Sequence, residues 1–284
     1  MQGQIMRLGI VTDIHLSPAG TPPGKWHNPL VYDRADDLLA RAIAFFEDKE
    51  IDAVAVLGDL SNFGDAESIT RGVTALASFD EPVYVVAGNH DALGAIELWR
   101  STIESHATGQ VSIPTGDRNG SSSIRLAGIG DIHGTAAEDQ WHIPAGSVEL
   151  TAPDDQPLVL LVHFPLVIRE AEINAAGFKF AGAFHWDETG EQLMARSAPT
   201  IVLHGHLHVR HTTVEGSILQ LGFASLIEPP HAVGLVDIED IDGTITVHVE
   251  HHDIDTHDVE FLPVLSESEE TWTFRDGEWS AVTP

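Results

Sequence analysis

Thr200-Ile201-Val202-Leu203-His204-Gly205-His206-Leu207-His208 joins a short apolar run to three imidazoles at alternate positions. The run is rich in β-branched residues and reads as a buried strand, with the histidines where it ends. In extended chain, alternate side chains share a face, roughly 6.6–7 Å apart at about 3.3–3.4 Å per residue. A single histidine there would be read as a surface loop residue. A row of them is a poor core and a good metal site. Gly205 lets the backbone bend and approach closely.

Upstream, the same pattern recurs. An apolar run over 7–11 ends in Asp13-Ile14-His15, one over 51–57 in Gly58-Asp59, and one over 82–87 in Gly88-Asn89-His90-Asp91. A further run over 158–162 ends in His163. Helical spacing separates the first three: Ala35, Leu38, Leu39, Ala42, Ile43 and Phe46 share one face of a helix over 32–50, and a second helix covers 65–79. The alternation predicts an α/β fold with a parallel sheet and crossover helices. Ligands of such sheets bind beyond the carboxyl ends of the strands, where every polar cluster falls.

The second half is richer in strands. Residues 122–129 read as a strand, 166–184 as loop with some helix, and 188–196 as helix. Alternating runs at 212–214, 218–222, 233–238 and 245–249 suggest an antiparallel meander closing a second sheet. Residues 1–250 form the expected catalytic domain. Residues 251–284 form an acidic extension docked on it, ending in a hairpin around Asp276-Gly277 that carries Trp272, Phe274 and Trp279.

Composition bounds the function. The chain has 284 residues with 44 acidic against 14 basic side chains, a formal net charge of −30. That charge disfavours duplex nucleic acid and anionic membranes. It fits either a high-salt habitat, where screening keeps an acidic surface soluble, or simply an acidic proteome. Cys is absent, so any metal must be held by N and O ligands. No apolar run approaches the ~20 residues of a membrane span, and the N-terminus lacks the features of a signal peptide. A cytoplasmic protein is expected.

Taken in order, D-x-H at Asp13/His15, G-D at Asp59, G-N-H-D at Asn89–Asp91, a lone His163 and G-H-x-H at His206/His208 resemble the calcineurin-like metallophosphoesterase superfamily. The resemblance covers roughly residues 7–250. It implies a two-sheet β-sandwich flanked by helices (αββα). It also implies two divalent metal ions, of the Mn, Fe or Zn kind, with a bridging hydroxide attacking phosphorus in line. By resemblance Asp59 bridges the metals. Asp13, His15 and His208 complete one site, and Asn89, His163 and His206 the other. His90 stands free of the metals and faces substrate, stabilising charge or protonating the leaving oxygen. Asp91 orients His90. His204 receives no ligand role and is expected to make a local hydrogen bond. The remaining histidines, among them His27, His185, His231, His251 and His252, read as surface groups, with His27 and His185 the nearest to flanking the site.

Departures narrow the branch. Asn62 stands where purple acid phosphatases carry Tyr, and His90 where the lipid A pathway pyrophosphatases carry Arg. The motifs look most like the class III cyclic nucleotide phosphodiesterase branch, which implies a small phosphodiester or phosphomonoester substrate. They also resemble SbcD-type nucleases, a reading weakened by the acidic surface and by only three lysines (Lys25, Lys49, Lys179). A third reading is a catalytically silent binding module on the same fold. Gly130-Asp131-Ile132-His133-Gly134 copies the first motif of the protein-phosphatase branch, but it follows G-N-H-D and is read as a loop.

Overall fold

The structure, a computed structural model, describes residues 4–106, 111–112, 124–129, 132–135, 140–143, 156–178, 183–186, 188–255 and 265–282. Two mixed sheets pack face to face with helices outside them. In the larger sheet the strands Gln4–Val11, Ala53–Leu57 and Val83–Val86 run parallel, in that spatial order. Their register pairs Val11 with Val56 and Leu57 with Val86, so their carboxyl ends lie together. In the smaller sheet Leu158–Leu161 lies parallel to Thr200–His204, Leu161 opposite Leu203. That register places His163 beside Gly205, whose N–H donates to the His163 carbonyl (3.2 Å).

Side-chain alternation builds the layers. Ala55, Leu57, Val159, Leu161, Ile201 and Leu203 face the core between the sheets. Val54, Val56, Leu160 and Val202 face outward. On the larger sheet, Leu38, Leu39, Ala42 and Phe46 of helix Ala35–Phe46 cover that outer face, with Ile69, Val73 and Leu76 of helix Ala66–Leu76. The second helix is capped by Asp65, whose carboxylate accepts from Ser68 N (2.9 Å). Neither Asp13 nor Asp59 caps a helix.

The expected meander is divided between the sheets. Only His211–Glu215 and Ile218–Gly222 join the smaller one. Ala232–Ile241 returns to the larger sheet, antiparallel to Gln4–Val11, and Thr244–Asp253 pairs antiparallel with Ala232–Ile241 on its other side. The crossing at 223–231 is anchored by Leu226 N and Ile227 N, which donate to the carbonyls of Thr12 and Asp13. Alternation alone cannot show this, because both sheets present the same period-2 inner face. The terminal hairpin Glu269–Arg275/Glu278–Ala281 extends the larger sheet. Phe274 and Trp279 are buried in the inter-sheet core, and Trp279 Nε1 donates to the Ser217 carbonyl (2.7 Å). The helical part of the 166–184 segment is the short helix Glu170–Ala175. Among the described residues no helix is long and apolar enough to cross a membrane.

Candidate metal centre

Both sheets deliver their strand ends to one place. Residues 13–16 run against residues 58–62. Asp13 N donates to Gly58 O (3.1 Å), while Ile14 N and His15 N share Asp59 O (3.0 and 2.9 Å). Asp13, His15, Asp59, His206 and His208 all have left-handed backbones, with φ of 52°, 51°, 52°, 66° and 55°. Such conformations cost about 1–3 kcal/mol each in non-glycine residues and cluster at functional sites. They also correct the extended reading of 204–208. The strand ends at His204, and His206 and His208 lie on the turn beyond it. His204 points inward, with Nδ1 2.8 Å from Gly205 O and its ring 5.0 Å from that of His211. The close approach of the turns requires glycine. A Cβ on Gly88 would sit 2.0 Å from Asp59 Oδ1, and one on Gly205 would sit 2.0 Å from Thr12 Oγ1 and 2.5 Å from Asp13 Oδ2.

Of the four histidines assigned to the metals by resemblance, His15, His163 and His208 have Nδ1 against an oxygen outside that ligand set. His163 Nδ1 is 2.8 Å from Leu57 O, His208 Nδ1 is 2.6 Å from Glu228 Oε2, and His15 Nδ1 is 3.3 Å from Asn62 Oδ1. Carbonyls and carboxylates only accept, so Nδ1 is the donor, and in the neutral ring Nε2 is the nitrogen left for a cation. The Nε2 atoms face further acceptors. His163 Nε2 is 3.3 Å from Asp59 Oδ2 and 3.1 Å from Asn89 Oδ1. His208 Nε2 is 3.2 Å from Asp13 Oδ1, and His15 Nε2 is 3.6 Å from Asp59 Oδ2. His206 Nδ1 is also 3.1 Å from Asn89 Oδ1. His15 Nε2 is buried with no hydrogen-bond partner. Converging buried acceptors demand positive charge, so this donor set fits divalent cations. Asp13, His15 and His208 place ligand atoms within 4.8 Å of one another, as do Asp13, Asp59 and His163.

The electrostatics of the site show the same demand. Burial pushes the His163 imidazole down, but Asp59 and Asp13 outweigh it and hold its pKa up at about 9. Burial likewise opposes His208, yet Asp13 and Glu228 raise it to about 10. For His15, burial and the neighbouring His90 prevail, and its pKa falls to about 3. It is a neutral imidazole.

Two expectations are revised. The Asp91 carboxylate does not hydrogen-bond the His90 ring. Buried, it accepts from Leu60 N (3.2 Å), Ser61 N (2.8 Å), Ser61 Oγ (2.9 Å) and Gly88 N (3.0 Å). It thereby ties the Asp59 turn to the Asn89 turn, a positioning role. The partner of His90 Nδ1 is the Asn62 carbonyl (2.9 Å). His90 also lies closer in than expected. It offers a ligand atom within 4.8 Å of those of His15 and Asp59, and its ring packs edge-on against His15 at 4.5 Å.

Sequence reading missed Glu228 and the part played by Asn62. Glu228 is 1% exposed between apolar Leu226-Ile227 and Pro229-Pro230. An acid in such a setting is a weak signal of a buried partner. His27, His231 and His251, read as surface groups, are buried; His27 Nε2 reaches Leu207 O at 2.9 Å. Gly130 and Asp131 of the repeated first motif lie outside the described residues, and only the backbone of His133 is described, in the strand His133–Thr135. The His185 side chain is likewise outside them.

The calcineurin-like phosphoesterase family matches residues 6–210. The chain belongs to that family. A search of curated protein sequences gives no significant match. Among solved structures, this calcineurin-like phosphoesterase is similar to a dimetal phosphatase from Danio rerio, with 12% identity, 85% of this chain and 95% of that one covered, and a TM-score of 0.57. It is also similar to a purple acid phosphatase from yellow lupin (Lupinus luteus), with 14% identity, 95% of this chain and 54% of that one covered, and a TM-score of 0.51. At such identities the likeness concerns the fold.

Proposed function

We propose that this calcineurin-like phosphoesterase uses two divalent cations to hydrolyse a small phosphodiester or phosphomonoester, as in the class III cyclic nucleotide phosphodiesterase branch. One observation carries the reading. A single oxygen of Asp59, Oδ2, lies 3.6 Å from His15 Nε2 and 3.3 Å from His163 Nε2, so one carboxylate atom meets a histidine of each candidate ligand set. Asp13, His15 and His208 would hold one cation, and Asn89, His163 and His206 the other. When bound, the pair supplies Lewis acidity to the phosphoryl oxygens and makes a water nucleophilic near neutral pH. Asn89 contributes a neutral oxygen, so its site retains more positive charge than the carboxylate-rich one. His90, with Nδ1 held by the Asn62 carbonyl, turns Nε2 away from that contact to stabilise charge or give a proton to the leaving oxygen. Asp91 keeps the turns that carry Asp59 and Asn89 in register. The acidic surface favours small substrates over nucleic acid.

The test is metal-depleted protein reloaded with Mn and assayed on phosphomonoesters, cyclic nucleotides, dinucleotides and nucleic acids. Wild type should hold two Mn and cleave a small ester. Asp59→Ala should lose metal and rate together. Full activity of Asp59→Ala would sink the site assignment, and a preference for nucleic acid would sink the substrate class.

A further inference from the structure

Asn62 occupies an unusual place in the centre. Its side-chain Oδ1 lies 3.3 Å from His15 Nδ1, its carbonyl 2.9 Å from His90 Nδ1, and its own N–H donates to Leu16 O (2.9 Å). The last contact pins its backbone to the strand end that carries Asp13 and His15. Its side chain also hydrogen-bonds the hydroxyl of Tyr32. The Tyr32 ring lies 6.4 Å from the His15 ring, tilted by 56°. Room for that hydroxyl depends on Gly24, where a Cβ would come within 2.9 Å of it.

We infer that Asn62 is the positioning residue of the His15 side of the metal centre, and that Tyr32 braces it. The inference rests on the metal-centre reading above. For His15 to offer Nε2 to a cation, its proton must stay on Nδ1, and the acceptor that keeps it there is Asn62 Oδ1. The two imidazoles of this site are supported unequally. His208 leans on the carboxylate of Glu228 at 2.6 Å, whereas His15 leans on a neutral amide at 3.3 Å. A carboxylate partner raises the basicity of a ligating imidazole more than an amide does. Asn62 therefore sets the affinity of the His15 site, and an acid in its place should tighten it. The backbone carbonyl that holds His90 survives any side-chain change, so the two functions of the residue separate experimentally.

The experiment is a Mn titration of metal-depleted wild type, Asn62→Leu, Asn62→Asp and Tyr32→Phe, followed by calorimetry and by bound-Mn stoichiometry. Asn62→Leu should keep one Mn at wild-type affinity and bind the other about 10–100-fold more weakly. Asn62→Asp should restore or exceed wild-type affinity. Tyr32→Phe should weaken the same Mn by a smaller factor. At saturating Mn the Asn62→Leu rate should recover, a KM-like dependence on metal with kcat largely retained. Two Mn bound to Asn62→Leu at wild-type affinity would overturn the inference, as would Asn62→Asp binding as weakly as Asn62→Leu. Should Asn62→Leu fail to fold, Tyr32→Phe decides, and unchanged affinity there overturns the inference. The wild-type titration tests the metal centre itself: fewer than two Mn there defeats that reading, whatever the variants do.

Discussion

The Glu228 carboxylate lies 2.6 Å from His208 Nδ1, on the far side of the ring from Asp13, which is 3.2 Å from Nε2. The imidazole is held between two buried acids, and the outer one fixes which nitrogen is free. The other Glu228 oxygen accepts from Asn28 N, so the 24–30 hairpin is tied to the same residue. Glu228→Ala removes the proton acceptor of His208 and the anchor of that hairpin. Metal affinity should fall by about 10–100-fold, and Glu228→Gln should recover part of it. Competition with a chelator of known affinity measures this. Unchanged affinity in Glu228→Ala would remove the positioning role.

His90 separates two possibilities that its placement leaves close together. As an acid or charge stabiliser, His90→Ala should keep both metals and lose about 10²–10⁴-fold in kcat. The loss should shrink on substrates with a good leaving group, which need no proton. If the variant instead binds one metal fewer, His90 is a ligand of the His15–Asp59 side.

Gly88→Ala and Gly205→Ala test how tightly the turns are packed. Each added methyl meets a ligand carboxylate or its immediate support, at 2.0 Å from Asp59 Oδ1 or from Thr12 Oγ1. Overpacking of this kind costs about 1–3 kcal/mol, so the melting temperature should drop by several degrees. Metal content should fall more than stability alone accounts for, since the displaced atom belongs to a ligand or to its brace. Gly216→Ala is the comparison, since a Cβ there meets nothing within 4 Å, although its φ of 58° still carries a backbone cost.

Acid should destabilise the fold through histidines buried in neutral form. Burial, with Arg210 and His252 beside it, lowers His251 to about 3. Burial lowers His211 as well. In the unfolded chain both titrate near the usual ~6.5. Their stabilising contribution is thus fully present above about pH 6.5 and is lost as pH falls toward the folded values, at about 1.4 kcal/mol per pH unit for each histidine. Denaturation midpoints at pH 7, 6 and 5 should decline. His251→Phe, which replaces a ring packed 5.1 Å from Phe223 with an apolar one, should flatten that decline. An identical slope in the variant would exclude His251 as a contributor.

Much of this protein is present in local sequence. The period-2 strands, the helical faces at 35–46 and 66–76, and the rule that motifs follow strands all arise from short-range geometry, and they place Asp13, His15, Asp59, Asn89, His163, His206 and His208 at strand ends before any coordinates are known. Residue chemistry then makes a metal the natural occupant of those ends. Local pattern cannot say which oxygen occupies each Nδ1, because those partners lie far away in sequence. His163 meets Leu57, His15 meets Asn62, and Asp91 turns from its neighbour His90 to Leu60 and Ser61. Nor does an alternating run say which of two sheets it joins, since both bury the same kind of face, and so Ala232–Ile241 returned to the first sheet unannounced. The left-handed turns at His206 and His208 belong to the same class. Such backbones are unfavourable locally and persist only where surrounding contacts over-determine them. The candidate ligands and their places at strand ends are therefore legible in sequence, whereas orientation and support were decided by packing that only the folded chain assembles.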